Sequence, residues 1–301
     1  QPGDEIIVTE LDHRANVDPW LHAARDHGVV VKWLKVNPET LTLQYEDLGD
    51  LLTEKTKLVA VGLASNAIGT VNDVAEISRQ AHKVGAMVVV DAVHGAPHVA
   101  IDRDQLGADI LLCSAYKFFG PHVGIAAIRE DLFDRMPVYK LKPAPDGIPD
   151  KLETGTQNHE GIAGVRGALK FIEGIGLGQT ARERLIDGIE SIQRHEDRLA
   201  KTLRHALRQL SGVTVYSASD EILQTPTVSF RVDGYTPREV CRAVLENTGS
   251  FVADGDFYAL TLAQRLGVDR DGGFVRAGLA PYNTMPEVER LIRGIEQLIG
   301  R

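Results

Sequence analysis

Three apolar runs in the first part of this 301-residue chain stop at polar residues of the kind that do chemistry. Residues 58–64 give way to Ser65-Asn66. Residues 86–90 give way to Asp91-Ala92-Val93-His94, and 110–113 to Ser114-Ala115-Tyr116-Lys117. Were the runs strands of one open α/β sheet, these residues would meet beyond its carboxyl edge, where such sheets bind ligands. An acid, an amide, an imidazole, hydroxyls and an amine would then share one place. Lys117 is followed by Phe118-Phe119-Gly120-Pro121, and apolar, turn-forming surroundings favour the neutral, nucleophilic form of an amine. Taken singly, each residue has a structural explanation. An aspartate after an apolar strand caps the next helix, and a lysine there is a solvated loop residue. Their joint placement favours a site.

The elements needed to position them are legible in the pattern. Strands are expected at 6–8, 29–36, 58–64, 86–90, 110–113 and 124–128, with helices at 16–27, 45–52 and 73–83, Asp73 capping the last. Apolar strands separated by helices argue for a largely parallel α/β sheet. A Pro-rich stretch, 137–149, interrupts the alternation, and a helix at 160–172 follows. A long polar helix, 181–210, leads to strands at 213–216, 227–232, 251–253 and 274–279 and helices at 238–247, 259–266 and 286–299. The expected division is a large domain, 1–180, and a bridging helix with a smaller C-terminal α/β domain, 181–301.

Composition narrows the function classes. Hydrophobic residues make up 43% and charged residues 25%, as in ordinary globular chains. The net charge of -9 argues against a general nucleic-acid binder. The two cysteines, Cys113 and Cys241, form no C-x-x-C pair and fit a reducing compartment, so a cytoplasmic location is expected. No signal peptide or membrane-length apolar run is present in the sequence given. No Gly-x-Gly-x-x-Gly follows a strand and no P-loop is present, which weighs against a nucleotide enzyme. Gly174-Ile175-Gly176-Leu177-Gly178 follows a helix and reads as its stop.

Several short motifs, in order, resemble one family. The segment 114–121 is similar to the lysine segment of class V aminotransferase-like enzymes, which use pyridoxal 5'-phosphate (PLP) and include the cysteine desulfurases. Asp12-His13-Arg14-Ala15-Asn16 with Pro19-Trp20, the run Ser65-Asn66-Ala67-Ile68-Gly69-Thr70, Asp91, and Val275-Arg276-Ala277-Gly278-Leu279 with Tyr282-Asn283-Thr284 match other family segments. The resemblance implies a PLP-dependent transferase-like fold (fold type I). It implies that Lys117 bonds the cofactor, that Asp91 pairs with its pyridinium nitrogen and that His13 stacks on its ring. Asn66 would meet its phenolic oxygen, and His94 stands where members carry glutamine or histidine. Ser114 would reach the phosphate, and Thr156, in Glu153-Thr154-Gly155-Thr156-Gln157-Asn158, the phosphate of a neighbouring subunit. Arg276 would hold a substrate carboxylate by paired hydrogen bonds, the alternative being an internal ion pair. A homodimer and an amino-acid substrate follow from the same resemblance.

Two departures matter. The desulfurases carry a cysteine on a mobile loop, and Tyr258 lies at that place in the segment 251–259. Cys113 and Cys241 lie elsewhere and are expected to pack. The chain also opens on Gln1-Pro2-Gly3-Asp4, at a strand edge, whereas the resemblance implies earlier chain carrying a phosphate cup at a helix N-terminus. The reaction expected is C–S bond cleavage by α,β-elimination. Transamination, racemisation or epimerisation, and true desulfuration are the alternatives within the family. A PLP-fold binding module without catalysis is the alternative outside it.

Overall fold

In the computed structural model, which describes residues 1–153 and 155–300, strands and helices alternate along the first half of the chain. Thr154, part of the 153–158 motif, lies outside the described residues. The strands are β1 (Glu5–Thr9), β2 (Val30–Leu34), β3 (Thr56–Gly62), β4 (Met87–Asp91), β5 (Ile110–Ser114) and β6 (Gly124–Ile128). They pair in the order β2-β1-β3-β4-β5-β6. The first five run parallel, and β6 runs antiparallel to β5. A parallel pair needs a long crossover. The link from β5 to β6 is the short segment 115–123, so β6 turns back.

The helices of this half are α1 (Asp18–His27), α2 (Leu48–Leu51), α3 (Val74–Lys83), α4 (Arg103–Leu106) and α5 (Glu130–Arg135). Both faces of the central strands are covered, and this is why β3 and β4 read as continuous apolar runs. Val59, Val61, Val88 and Val90 pack on one side with Ile77 and Ala81 of α3. Ala60 and Val89 pack on the other side with Val8, Val17 and Trp20. Asp73 caps α3 by accepting from the Glu76 backbone N–H at 3.0 Å, and Val74, Ile77, Ser78 and Ala81 form its buried stripe.

The second half begins with α6 (His159–Ile175) and the long α7 (Ala181–Gln209). A reciprocal Thr180–Glu183 capping box starts α7. Its Leu199, Leu203 and Leu207 recur every four residues and are fully buried. They pack on a second sheet of β7 (Val213–Tyr216), β8 (Thr227–Val232), β9 (Ala253–Gly255) and β10 (Phe274–Gly278). Its order is β7-β8-β10-β9, antiparallel throughout. Helices α8 (Pro237–Thr248) and α10 (Met285–Ile299) complete this core. Between them, α9 (Leu260–Arg265) and its flanks return to the first sheet: Ala259, Leu262, Ala263, Val268 and Phe274 belong to that core.

The strand expected at 251–253 forms at Ala253–Gly255 instead. Its register is set by β10, which pairs Ala253 with Arg276 and Gly255 with Phe274, and Phe251 is left exposed. No helix among the described residues is long and apolar enough to cross a membrane.

Gly176, just past α6, and Gly188 of α7 let the two helices approach, since a Cβ on Gly176 would stand 2.0 Å from the Arg184 carbonyl oxygen. A Cβ on Gly188 would stand 2.3 Å from the Ile172 carbonyl oxygen, whereas one on Gly174 would meet nothing within 4 Å. Gly188→Ala is therefore expected to destabilise the fold by about 2 kcal/mol or more through overpacking against backbone. Gly174→Ala, in open helix surface, is expected to be neutral or to stabilise by up to about 1 kcal/mol. Urea unfolding of the two variants checks the contrast, and equal effects would contradict the close helix approach.

Candidate active site

The parallel register brings the ends of β3 and β4 side by side, with Gly62 opposite Asp91. Beyond this edge lies a cavity of about 700 Å³. Its lining includes His13, Asn66, Asp91, His94, Ser114, Lys117 and Arg276, so seven of the eight residues singled out from sequence meet in one place. Thr156 is exposed and is not among the lining residues.

Lys117 sits on a short 3-10 turn, Ala115–Phe118, directly after β5. Ala115 and Phe118 are buried beneath the turn, while Tyr116 and Lys117 line the cavity. Phe119 closes the turn in the left-handed region, with φ 69°, and the Gly120 N–H donates to the Ala115 carbonyl at 2.8 Å. A Cβ on Gly120 would lie 2.8 Å from that same oxygen, so the tightness of the turn requires glycine. The Lys117 amine makes no hydrogen bond or ion pair among the described residues. It lies 5.3 Å from the centroid of the Tyr116 ring.

Asp91 accepts one hydrogen bond, from the Val93 backbone N–H at 2.9 Å. Burial raises its pKa, opposed by that bond and by His13 and Lys117. His13 takes the Ala15 N–H on Nδ1 at 3.0 Å, which fixes its ring. The ring packs on Tyr258 with centroids 5.3 Å apart. Burial lowers the His13 pKa, and Lys117 adds to this while Asp91 opposes it. His94 Nε2 lies 2.9 Å from the Thr225 hydroxyl and 3.1 Å from that of Thr227, tying the end of β4 to the start of β8. Burial, with His98, Arg276 and Lys117 as neighbouring cations, holds its pKa well below the ordinary imidazole range.

Arg276 reaches the cavity from β10. Its Nη1 donates to the Asn66 carbonyl at 2.7 Å, and its guanidinium lies 3.8 Å from the centroid of the Phe257 ring. Among the described residues it has no carboxylate partner, so an internal ion pair is not what holds it. The Asn66 side chain donates to the Phe257 carbonyl at 2.7 Å, while its Oδ1 is buried without a hydrogen-bond partner. Phe257 and Tyr258 both adopt left-handed backbone, with φ 55° and 59°. For non-glycine residues this is strained, and it persists only where surrounding contacts over-determine it. Here those contacts are the Asn66 bond, the Arg14 N–H on the Tyr258 carbonyl at 2.8 Å, and the Tyr258 N–H on Asp256 at 2.9 Å.

Sequence reasoning missed three contributors. Asp12 lines the cavity and is buried to 3% exposure. It stood in the quoted motif beside His13, and its partner Gly62 interrupts an apolar strand, a recognised sign of close approach. Thr225 and Thr227 hold His94 from far along the chain, and no local signal marks them.

The aminotransferase class-V family model matches residues 1–291. The chain belongs to the class-V aminotransferase family. It is 34% identical over 310 residues to an aminotransferase-like protein of Gibberella zeae, covering 99% of this chain and 73% of that protein. It is 31% identical to a probable cysteine desulfurase of Halalkalibacterium halodurans, covering 98% of this chain and 71% of that one. Among solved structures it resembles the cysteine desulfurase CsdA of Escherichia coli, with a TM-score of 0.85 at 28% identity, over 100% of this chain and 73% of that one. It also resembles the apo cysteine desulfurase of Thermococcus onnurineus NA1, with a TM-score of 0.88 at 29% identity, over 100% and 74%. The fold is thus the PLP-dependent fold type I expected, and the family is one of PLP-dependent enzymes.

The class-V cavity fits such a cofactor on its own terms. It has an amine unengaged among the described residues, a half-buried carboxyl with one hydrogen bond, and a buried amide oxygen left without a partner.

The lowered His94 pKa has a consequence for stability. An imidazole depressed in the fold contributes stability that is present above the unfolded value of 6.5 and lost as pH falls through the folded value. Over that window the loss proceeds at a limiting slope of about 1.4 kcal/mol per pH unit. His94→Gln is expected to remove this component, so wild-type and variant stabilities should converge as pH falls below 6.5. Urea unfolding across pH checks it, and parallel curves would show that His94 is not held neutral.

Proposed function

We propose that this chain is a PLP-dependent enzyme that cleaves the C–S bond of a cysteine-like amino acid by α,β-elimination. The observation that carries the choice is the wall of the cavity, where Tyr258 stands on the 254–258 loop and no thiol is present. Desulfuration needs an exposed, mobile thiolate to attack sulfur. Cys113 and Cys241 are both half-buried and outside the cavity lining. Burial pushes the Cys113 thiol up, and it pushes Cys241 up to about 11. Elimination needs no thiol.

PLP bound here would supply an electron sink that makes the α-proton of an attached amino acid labile. Lys117, whose amine is otherwise unengaged among the described residues, would bond the cofactor and serve as the base for the α-proton. Asp91 would pair with the pyridine nitrogen and keep its proton in place. Asn66 has a second amide N–H for the phenolic oxygen, the first being on Phe257. His13 would stack on the ring, and His94 stands as a further cofactor-binding residue. Ser114, whose hydroxyl makes no hydrogen bond among the described residues, serves the phosphate, and Thr156 that of a partner subunit. Arg276 is held by one nitrogen on the Asn66 carbonyl, which leaves its other N–H groups for a substrate carboxylate. Tyr258 closes the pocket over His13. The products are pyruvate, ammonia and a thiol or sulfide.

The same reading places the enzyme in the cytoplasm as a homodimer, with Thr156 exposed for the second copy. It divides the chain into 1–180 and 181–301, supported by the separate core that α7, α8 and α10 make with the second sheet.

Two tests follow. Lys117→Ala, reduced with borohydride in the presence of PLP, is expected to carry no covalent cofactor by mass spectrometry while wild type carries one. A stoichiometric adduct on the variant would refute the lysine assignment. In the second, wild type and the Cys113→Ser, Cys241→Ser double variant are given cysteine or a cysteine conjugate under reducing conditions. Pyruvate in step with thiol or sulfide is expected from both. Alanine in step with sulfide, persisting in the double variant, would overturn elimination.

A further inference from the structure

The carboxyl of Asp12 occupies the space where residue 62 would carry a side chain. A Cβ on Gly62 would stand 2.7 Å from Asp12 Oδ1. Gly62 pairs in register with Asp91 across parallel strands, and in-register neighbours present their side chains on the same face, about 5 Å apart. The Asp12 carboxyl therefore lies beside that of Asp91, at the floor of the same cavity. Its oxygens are held by neutral donors: the Gly62 N–H on Oδ1 at 2.8 Å and the Asn16 amide on Oδ2 at 2.8 Å. Thr9 is a third neutral neighbour, and it opposes the rise of the Asp12 pKa. Among the described residues no cation pairs with it.

We propose that Asp12 is a positioning residue of this site, its carboxyl and that of Asp91 forming a pair at the cavity floor in which the charge of one opposes the charge of the other. The inference rests on the reading of Asp91 as the proton-holding acid. A buried carboxyl and a half-buried one side by side do not both ionise freely, because each charge opposes the other. The groups facing Asp12 are the Gly62 N–H on β3, Asn16 and Thr9 on its own segment, and Asp91 on β4. His13 and Lys117 also face Asp91, and both lower its pKa. Burial, with Asp91 as the like charge, pushes Asp12 up to about 7. Below that pH the pair carries one negative charge at most. Above it, a second charge adds to the field at the site where Asp91 meets a protonated nitrogen.

The test titrates the aspartate carboxyls, labelled with carbon-13, by NMR in the chain without cofactor. One resonance is expected with a midpoint near 7. It should be absent from Asp12→Asn and move to lower pH in Asp91→Asn, where the like charge is gone. If every aspartate finishes titrating below about pH 5.5, within the ordinary spread of such groups, the proposal fails. It also fails if Asp91→Asn leaves the midpoint in place. Should Asp12→Asn not fold, the Asp91→Asn shift alone decides. With PLP added, the visible absorbance of wild type is expected to change through a pH step that Asp12→Asn loses. A purely structural Asp12 would alter melting and leave that step unmoved. Absence of any visible band in both proteins would sink the PLP reading, while the carboxyl titration still decides the pair.

Discussion

The register between β3 and β4 is the constraint from which the site follows. Parallel strands end on the same edge, and each must be reached by a crossover that covers the sheet. Helix α3 is the crossover here, and its buried stripe of Val74, Ile77 and Ala81 fixes how β4 lies on β3. A one-residue slip would turn Val88 and Val90 out of one core and carry Asp91 to the other face. Held in register, Asp91 stands beside a position without a side chain, and the vacant volume at Gly62 admits Asp12 from the end of β1. Three strands thus contribute to one floor, and the turn after β5 brings Lys117 over it.

The second sheet completes what the first begins. Arg276 comes from β10, and Thr225 and Thr227 fasten His94 from the start of β8. Gly69 belongs to the same junction, since a Cβ there would meet the Thr227 carbonyl at 2.9 Å in a backbone of φ 83°. The 254–258 loop spans the two layers. Its left-handed Phe257 and Tyr258 are tied by Asn66 and Arg14, both from the first sheet's edge. The strain of the loop is thereby offset by contacts at the site, which places the two aromatic rings against Arg276 and His13.

Much of this was legible in the residues because local chemistry agreed with the tertiary fold. The apolar runs at 58–64, 86–90 and 110–113 carried no competing helix period, and each contains most of an observed strand. The Asp73 cap marked the start of α3 closely, and the helices expected at 238–247 and 286–299 begin within one residue of α8 and α10. What escaped was set by distant partners. β9 lies two residues later than expected because Arg276 and Phe274 on β10 choose its pairing. The short helices α4 and α5 hold too few residues to show a period. Asp12 stood in view, yet its burial depends on Gly62, 50 positions away.

The electrostatics of the cavity favour one kind of chemistry. Burial raises Asp12 and Asp91 and lowers His13 and His94, so the acids and the imidazoles are all driven toward their neutral forms. Neutral acids donate and neutral imidazoles accept, which suits a site that passes protons rather than one that holds fixed charge. Arg276 is the exception, since a guanidinium stays charged even where burial lowers its pKa. A lasting cation seated on an aromatic face, with no carboxylate partner among the described residues, is matched by a ligand that brings one carboxylate. An amino acid meets that requirement. Its α-carbon then lies among groups that move protons, and Tyr258 stands in the wall where a sulfur-accepting thiol would be needed. The charge pattern and the missing thiol both support the proposed elimination, loss of a β-substituent after loss of the α-proton.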